Sequence, residues 1–114
     1  MHTSNTLRLT ACRKRAGLDQ AELAHLVGVR VRSGISRLET GSRIPDARTL
    51  VAYEILFAHK AQTLLPDVAR RERRRILSFA KLLLRRLEGS VLPQPKAKLA
   101  FLKALIARLE TEAA

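Results

Sequence analysis

Residues 17–45 read GLDQAELAHLVGVRVRSGISRLETGSRIP, and they carry the clearest helical pattern of the chain. Its apolar residues recur at intervals of three and four, the period of a helix, and do not alternate as in a strand. Asp19 followed by Glu22 has the pattern of a capping box, which starts a helix. Gly28 can take the left-handed conformation that ends one. The sequence therefore predicts a short helix between Asp19 and Gly28.

A second short helix is predicted from Arg32 to Thr40. Ile35 and Leu38 lie three residues apart on one side, and Gly41 ends the segment. A helix of this size fits the major groove of DNA when its outer face carries hydrogen-bonding groups and few bulky apolar ones. The residues predicted for that outer face are Arg32, Ser33, Ser36 and Arg37.

Helical periodicity continues on both sides of this pair. A helix is predicted before it over residues 5–16, and two more follow it over residues 46–58 and 61–65, which Pro66 closes. Asp67 is predicted to cap a long helix that ends at Gly89. The predicted fold is all-α, with a five-helix domain over residues 1–66 and a two-helix extension over residues 67–114.

The last predicted helix carries a narrow apolar seam with spacings of three, four and three, typical of a coiled coil. The seam consists of Leu99, Leu102, Ile106 and Leu109. Because so short a helix is marginal in water by itself, the seam must be buried. It either folds back on the preceding helix or pairs with its twin in a second chain, and we expect the tail to contribute to a homodimer.

Composition narrows the class of protein. Hydrophobic residues make up 46% of the 114-residue chain and aromatic residues 4%, which suits packing of Leu- and Ala-rich helices. The formal net charge of +12 favours a polyanionic partner. The basic run at residues 70–75 fits a nucleic-acid contact and the charged face of an amphipathic helix equally well.

Other classes of function find no support in the sequence. Cys12 is the single cysteine, so a reducing compartment is expected. The three histidines lack a second ligand at metal spacing, and no phosphate loop or nucleophile arrangement is present. We therefore expect a cytoplasmic protein. It should have no enzymatic activity, metal, cofactor or membrane association.

The residues around Gly28 resemble a known family. Gly17-Leu18-Asp19-Gln20, Leu23-Ala24, Gly28-Val29, Ile35-Ser36-Arg37-Leu38-Glu39, Gly41 and Ile44-Pro45 look like the phage-repressor and Cro-type helix-turn-helix of the XRE family. The resemblance covers residues 7–65. It implies a five-helix, lambda-repressor-like domain that binds operator DNA, usually as a dimer. It also implies a protein that is bacterial or phage-encoded and associated with the nucleoid.

The resemblance also implies roles for individual residues. Gln20 corresponds to a glutamine that braces the phosphate backbone, and Arg13 with Glu39 to an internal structural pair. The interval from Gly28 to Ile35 is one residue longer than is usual, so that Arg30 or Arg32 could meet phosphate instead of a base. The DNA-binding residues implied together are Gln20, Arg30, Arg32, Ser33, Ser36, Arg37 and Arg43.

We therefore expect a transcriptional regulator, in particular a repressor that binds an inverted-repeat operator of double-stranded DNA as a dimer. One alternative is an antitoxin-type DNA-binding protein whose C-terminal helices bind a toxin partner. Another is an RNA-binding or nucleoid-coating protein in which the basic tail dominates.

Overall fold

The computed structural model describes residues 4–29 and 32–113. The described residues form helices and no strand, which confirms the predicted all-α class. The helices are α1 (Ser4–Arg15), α2 (Gln20–Val27), α3 (Arg32–Thr40), α4 (Ala47–Phe57), α5 (Ala61–Leu64), α6 (Pro66–Glu88) and α7 (Lys96–Ala113). No helix within the described residues is long and apolar enough to span a lipid bilayer.

The chain divides into two compact units, Met1–Ala69 and Arg70–Ala114. The division falls inside α6, past the predicted boundary between residues 66 and 67.

The first unit has one apolar core to which α1 to α5 all contribute. Its most deeply buried large side chains lie one to each helix because each helix turns a single apolar stripe inward. These side chains are Leu9, Leu23, Ile35, Tyr53 and Leu64. The core fixes α2 and α3 against α1 and α4, and thereby positions the turn between α2 and α3.

The start of α6 differs from the prediction. Asp67 does not cap this helix but lies in its first turn, after Pro66. Proline is tolerated there because it lacks an N–H that would need an acceptor. The N–H of Asp67 is instead bound by Oδ1 of Asn5, at 2.8 Å. The acceptor for the first turn of α6 therefore comes from α1, far away in the sequence.

In the second unit α7 runs antiparallel to the remainder of α6. Three ion pairs cross between the helices, namely Arg73 with Glu112, Lys81 with Glu110 and Glu88 with Lys103. Between the helices Ala80, Leu102 and Leu109 are buried, while Leu99 and Ile106 are half-buried. The seam thus folds back on α6 within one chain, which was one of the two arrangements left open by the sequence.

Candidate nucleic-acid interface

The turn between α2 and α3 begins at Gly28. This residue has φ +86°, in the left-handed region where a side chain would be strained. Its N–H and that of Val29 both donate to the carbonyl oxygen of Ala24, at 2.9 and 3.0 Å. At the other end of α2, the predicted capping box is present: Oδ1 of Asp19 accepts the N–H of Glu22, at 2.7 Å, and Oε1 of Glu22 accepts the N–H of Asp19, at 2.9 Å.

Arg48 of α4 holds the turn from the other side. Its Nη1 donates to the carbonyl oxygen of Val27 at 3.1 Å, and its Nη2 donates to that of Gly28 at 3.3 Å. A cation at the C-terminus of a helix satisfies carbonyl groups that have no partner in the helix and also opposes the negative end of the helix dipole. No local sequence pattern indicates this role, because nothing connects Arg48 to a glycine 20 residues earlier.

The recognition helix α3 has two different sides. Ile35, Leu38 and Glu39 are buried, with 0%, 3% and 5% of their surface exposed. Ser33 and Arg37 are exposed, and Ser36 is half-buried. The apolar side therefore anchors α3 to the core, and hydroxyl and guanidinium groups remain on its outer side.

An ion pair fixes the orientation of α3 relative to α1. Nε of Arg13 donates to Oε2 of Glu39 at 2.7 Å, and Nη2 donates to Oε1 at 3.0 Å. Arg13 also donates to the carbonyl oxygen of Leu18, at 2.9 Å. The hydrogen bonds to the Glu39 carboxylate raise the pKa of Arg13 above its ordinary value. The pair implied by the resemblance is thus formed.

Gln20 belongs to the same network. Its Nε2 donates to Oε1 of Glu39 at 3.1 Å. This contact holds the first residue of α2 against α3, which is a different role from the phosphate brace implied by the resemblance. The phosphate contact of Gln20 stays a prediction.

A shallow groove runs beside α3, along the segment that connects it to α4. The lining includes three guanidinium-bearing residues together with an exposed isoleucine: Arg37, Arg43, Arg48 and Ile44. The backbone N–H of Arg43 donates to the carbonyl oxygen of Arg37 at 3.2 Å, which ties the connecting segment to α3. The groove therefore adds positive charge directly next to the outer side of the recognition helix.

Asp46 lies at one end of this groove and caps α4. Its Oδ1 accepts the N–H of Thr49 at 2.8 Å. This hydrogen bond lowers the pKa of the Asp46 carboxyl, and the charges of Arg48 and Arg43 lower it further. Asp46 is therefore ionised at neutral pH and keeps the start of α4 in place.

The other predicted residues are placed only in part. Arg30 lies outside the described residues, and Arg32 begins α3 without a described side chain. The structure brings Ser33, Arg37 and Arg43 to one groove, whereas Ser36 is half-buried elsewhere on α3 and Gln20 joins the internal network. Whether each of them contacts DNA stays a prediction.

The described part of the chain contains no cluster of side chains that could hold a metal ion. No three His, Cys, Asp or Glu residues come together there. Cys12 is buried, and burial raises the pKa of its thiol although Arg15 and Arg8 act in the opposite direction. A thiol of this kind packs as a small apolar group and is a poor nucleophile.

Comparison with known proteins identifies the same part of the chain, the segment that contains α2, the Gly28 turn and α3. The helix-turn-helix family matches residues 9–58, which extend from within α1 to the end of α4. No curated protein and no solved structure matches the chain. Residues 9–58 contain the capped α2, the Gly28 turn and the two-sided α3, and they are a helix-turn-helix domain of the XRE family, the domain of DNA-binding transcriptional regulators.

Proposed function

We propose that this protein is a sequence-specific repressor that reads double-stranded DNA with α3. One observation carries the proposal: α3 is clamped from behind by buried Ile35 and Leu38 while Ser33 and Arg37 face outward. Such a helix can enter a major groove without exposing its apolar side. Arg37 can hold a guanine through O6 and N7, and the serine hydroxyls can bond to either kind of base edge.

The backbone phosphates would be held from both sides of α3. Arg43 supplies positive charge from the groove, and Gln20 lies at the start of α2, where a helix N-terminus favours anions. Arg30 and Arg32 flank the start of α3 in the sequence and complete the proposed contact set. Phosphate contacts position the protein, whereas base contacts select the sequence.

We further propose that residues 1–66 bind DNA and that residues 67–114 bring two copies together on an inverted repeat. A two-fold dimer places two recognition helices on one face of the duplex when its half-sites lie about one helical turn apart. Repression follows if such a site overlaps a promoter and excludes polymerase.

Selection of bound sequences from a random duplex pool tests the proposal. We expect a motif with two-fold symmetry, and we expect Arg37→Ala to weaken binding to that motif about tenfold or more through the loss of one base contact. Arg85→Ala is the matched control, because it removes the same charge from an exposed position in α6. It should leave the preference for the selected motif over scrambled duplex unchanged.

A specific observation favours a second candidate function. Twelve of the 22 Lys and Arg residues lie in residues 70–114, and Arg71, Arg74, Arg75 and Arg85 are all exposed on α6. Such a surface binds polyanions without sequence preference. If no motif is selected and Arg37→Ala binds duplex as well as the native chain does, the protein is a nucleoid-coating protein and not a sequence-specific repressor.

A further inference from the structure

The hairpin of α6 and α7 leaves large apolar side chains in solvent. On α6, Ile76, Phe79 and Leu83 are 37%, 61% and 41% exposed, and on α7 Phe101 is 64% exposed. Isolated exposed apolar residues are ordinary, but a contiguous set on a helix marks an interaction surface. The side of each helix on which these residues lie therefore decides whether they form one contiguous surface.

Ion pairs define which sides of the hairpin these residues occupy. Lys81 with Glu110 and Glu88 with Lys103 line one side. With 3.6 residues per turn, Ile76, Phe79 and Leu83 lie on the opposite side of α6. By the same geometry Phe101 lies on the corresponding side of α7. The hairpin thus has one side lined by two ion pairs and an opposite side on which Ile76, Phe79, Leu83 and Phe101 lie, with Glu112 of the Arg73–Glu112 pair at its end. We call this opposite side the apolar flank.

The α6 part of the apolar flank is framed by charges of opposite sign. Glu72, Ile76, Phe79, Leu83 and Arg86 follow one another at spacings of four, three, four and three, the repeat of a coiled-coil contact. Phe79 is the midpoint of this series. When a second α6 lies antiparallel about Phe79, each Glu72 therefore meets Arg86 of the other copy, and Ile76 comes opposite Leu82, one residue from Leu83.

Charges in the rest of α6 agree with this arrangement. Glu72 has an intrachain partner, Arg75, at 2.7 Å, and both groups are exposed. Within the described residues Arg86 forms no ion pair. Arg85 lies on the far side of α6 from the apolar flank, whereas Arg75 borders the flank beside Phe79, where its charge is paired with Glu72.

We propose that the apolar flank is the homodimer contact, in which two α6 helices pack antiparallel about Phe79 with Glu72–Arg86 pairs at both ends. The occupant is a second copy of this chain because the flank is complementary in charge and spacing to itself. The proposal rests on the proposed function in one respect, since an inverted repeat needs a two-fold dimer. It assigns the contact to the apolar flank instead of to Leu99, Leu102, Ile106 and Leu109.

Sedimentation equilibrium of the full chain without DNA tests the surface. We expect a reversible dimer, and we expect Phe79→Glu to weaken it at least tenfold by placing like charges at the two-fold axis. Ser78→Glu is the control, because Ser78 is exposed on the same helix but lies about 100° or more around it from Phe79, Leu83 and Ile76. Circular dichroism verifies that both variants remain helical. A monomeric native chain, or equal weakening by both substitutions, overturns the proposal.

Disulfide trapping tests the antiparallel geometry. A mixture of Glu72→Cys and Arg86→Cys chains, distinguished by tags of different length, should form a mixed disulfide dimer rapidly. Neither chain alone should do so, and the native chain, whose Cys12 is buried, should remain reduced. Rapid trapping of each chain with itself, or no trapping in the mixture, overturns the arrangement. Because both measurements omit DNA, their failure is distinguishable from failure of α3 to read a sequence.

Discussion

Arg13 and Glu39 are 26 residues apart in the sequence and form a two-point ion pair with N–O distances of 2.7 and 3.0 Å. Only 12% and 6% of the two side chains are exposed. The pair joins α1 to the last turn of the recognition helix, and Gln20 of α2 donates to the same carboxylate. Side chains of α1, α2 and α3 therefore meet at the Glu39 carboxylate. Without this carboxylate the N–H groups of Arg13 and Gln20 would lose an acceptor.

Glu39→Ala should lower the free energy of unfolding by about 3 kcal/mol, because it leaves the charge of Arg13 buried without its partner. Urea denaturation measures this change. The control is Glu110→Ala, which removes an exposed pair with Lys81 and should cost less than about 1 kcal/mol. Similar losses in the two variants would contradict a special role for the buried pair.

Tyr53→Phe should keep or raise stability, by up to about 1 kcal/mol. The buried hydroxyl of Tyr53 has no hydrogen-bond partner among the described residues, and its ring packs at 5.7 Å from that of Phe57. Removing an unpaired buried polar group loses no hydrogen bond and removes its desolvation cost. Thermal unfolding followed by circular dichroism measures the effect, and a clearly lower Tm would show that the hydroxyl is bound.

Tyr53 should also make the protein sensitive to alkali. Burial raises the pKa of its phenol, so above pH ~10 the unfolded chain loses this proton before the folded chain does. The stabilisation of the fold by neutral Tyr53 is thus fully present below pH ~10 and is lost as the pH rises further. Since Tyr53 is the single tyrosine, tyrosinate absorbance reports its ionisation directly. We expect ionisation to coincide with unfolding, and Tyr53→Phe to resist alkali better.

Arg48→Met should loosen the turn before α3. It removes both hydrogen bonds to the end of α2 but retains much of the apolar stem, so a loss of about 1 kcal/mol is expected. Because the turn sets the angle of α3, affinity for a selected duplex should fall further than stability alone explains. Arg48→Lys, which keeps the charge, should recover part of the affinity. Unchanged affinity in Arg48→Met would exclude this positioning role.

Asp46→Ala should lower Tm at neutral pH by removing the acceptor for the N–H of Thr49. Because the folded-state pKa of Asp46 is lowered, its ionised cap stabilises the fold above the unfolded pKa of about 3.9 and is lost as pH falls through the folded value. The Tm difference between native and Asp46→Ala chains should therefore shrink at acidic pH. Asn also caps a helix but is neutral at every pH, so the acid-dependent loss of this stabilisation should be absent in Asp46→Asn.

Arg43→Ala should weaken DNA binding by a similar factor on every sequence, since a phosphate contact carries no base information. The slope of log K against log salt should fall in magnitude by about 1. Fluorescence anisotropy at several salt concentrations measures both quantities. Arg43→Lys, which preserves the charge, should keep the native slope. A loss confined to one sequence would instead indicate that Arg43 reads a base.

Sequence alone determined the features that depend on neighbours within about one helical turn. The capping box of Asp19 and Glu22, the end of α2 at Gly28 and the bounds of α3 agree with the prediction. Each rests on hydrogen bonds or φ values set by a few adjacent residues, and the spacing of Ile35 and Leu38 gave the inward side of α3. Residue pattern and the resemblance together were also sufficient for the class of the domain.

The hydrogen-bond partners of these local features lie far away in the sequence, and the packing of the helices brings them into contact. Arg48 caps α2, Asn5 supplies the acceptor that Asp67 was predicted to be, and Glu39 receives the amide of Gln20. The seam of α7 folds back on α6 and leaves a different apolar flank in solvent. A linear pattern shows that such a group needs a partner, but the partner is set by the packing of whole helices against each other.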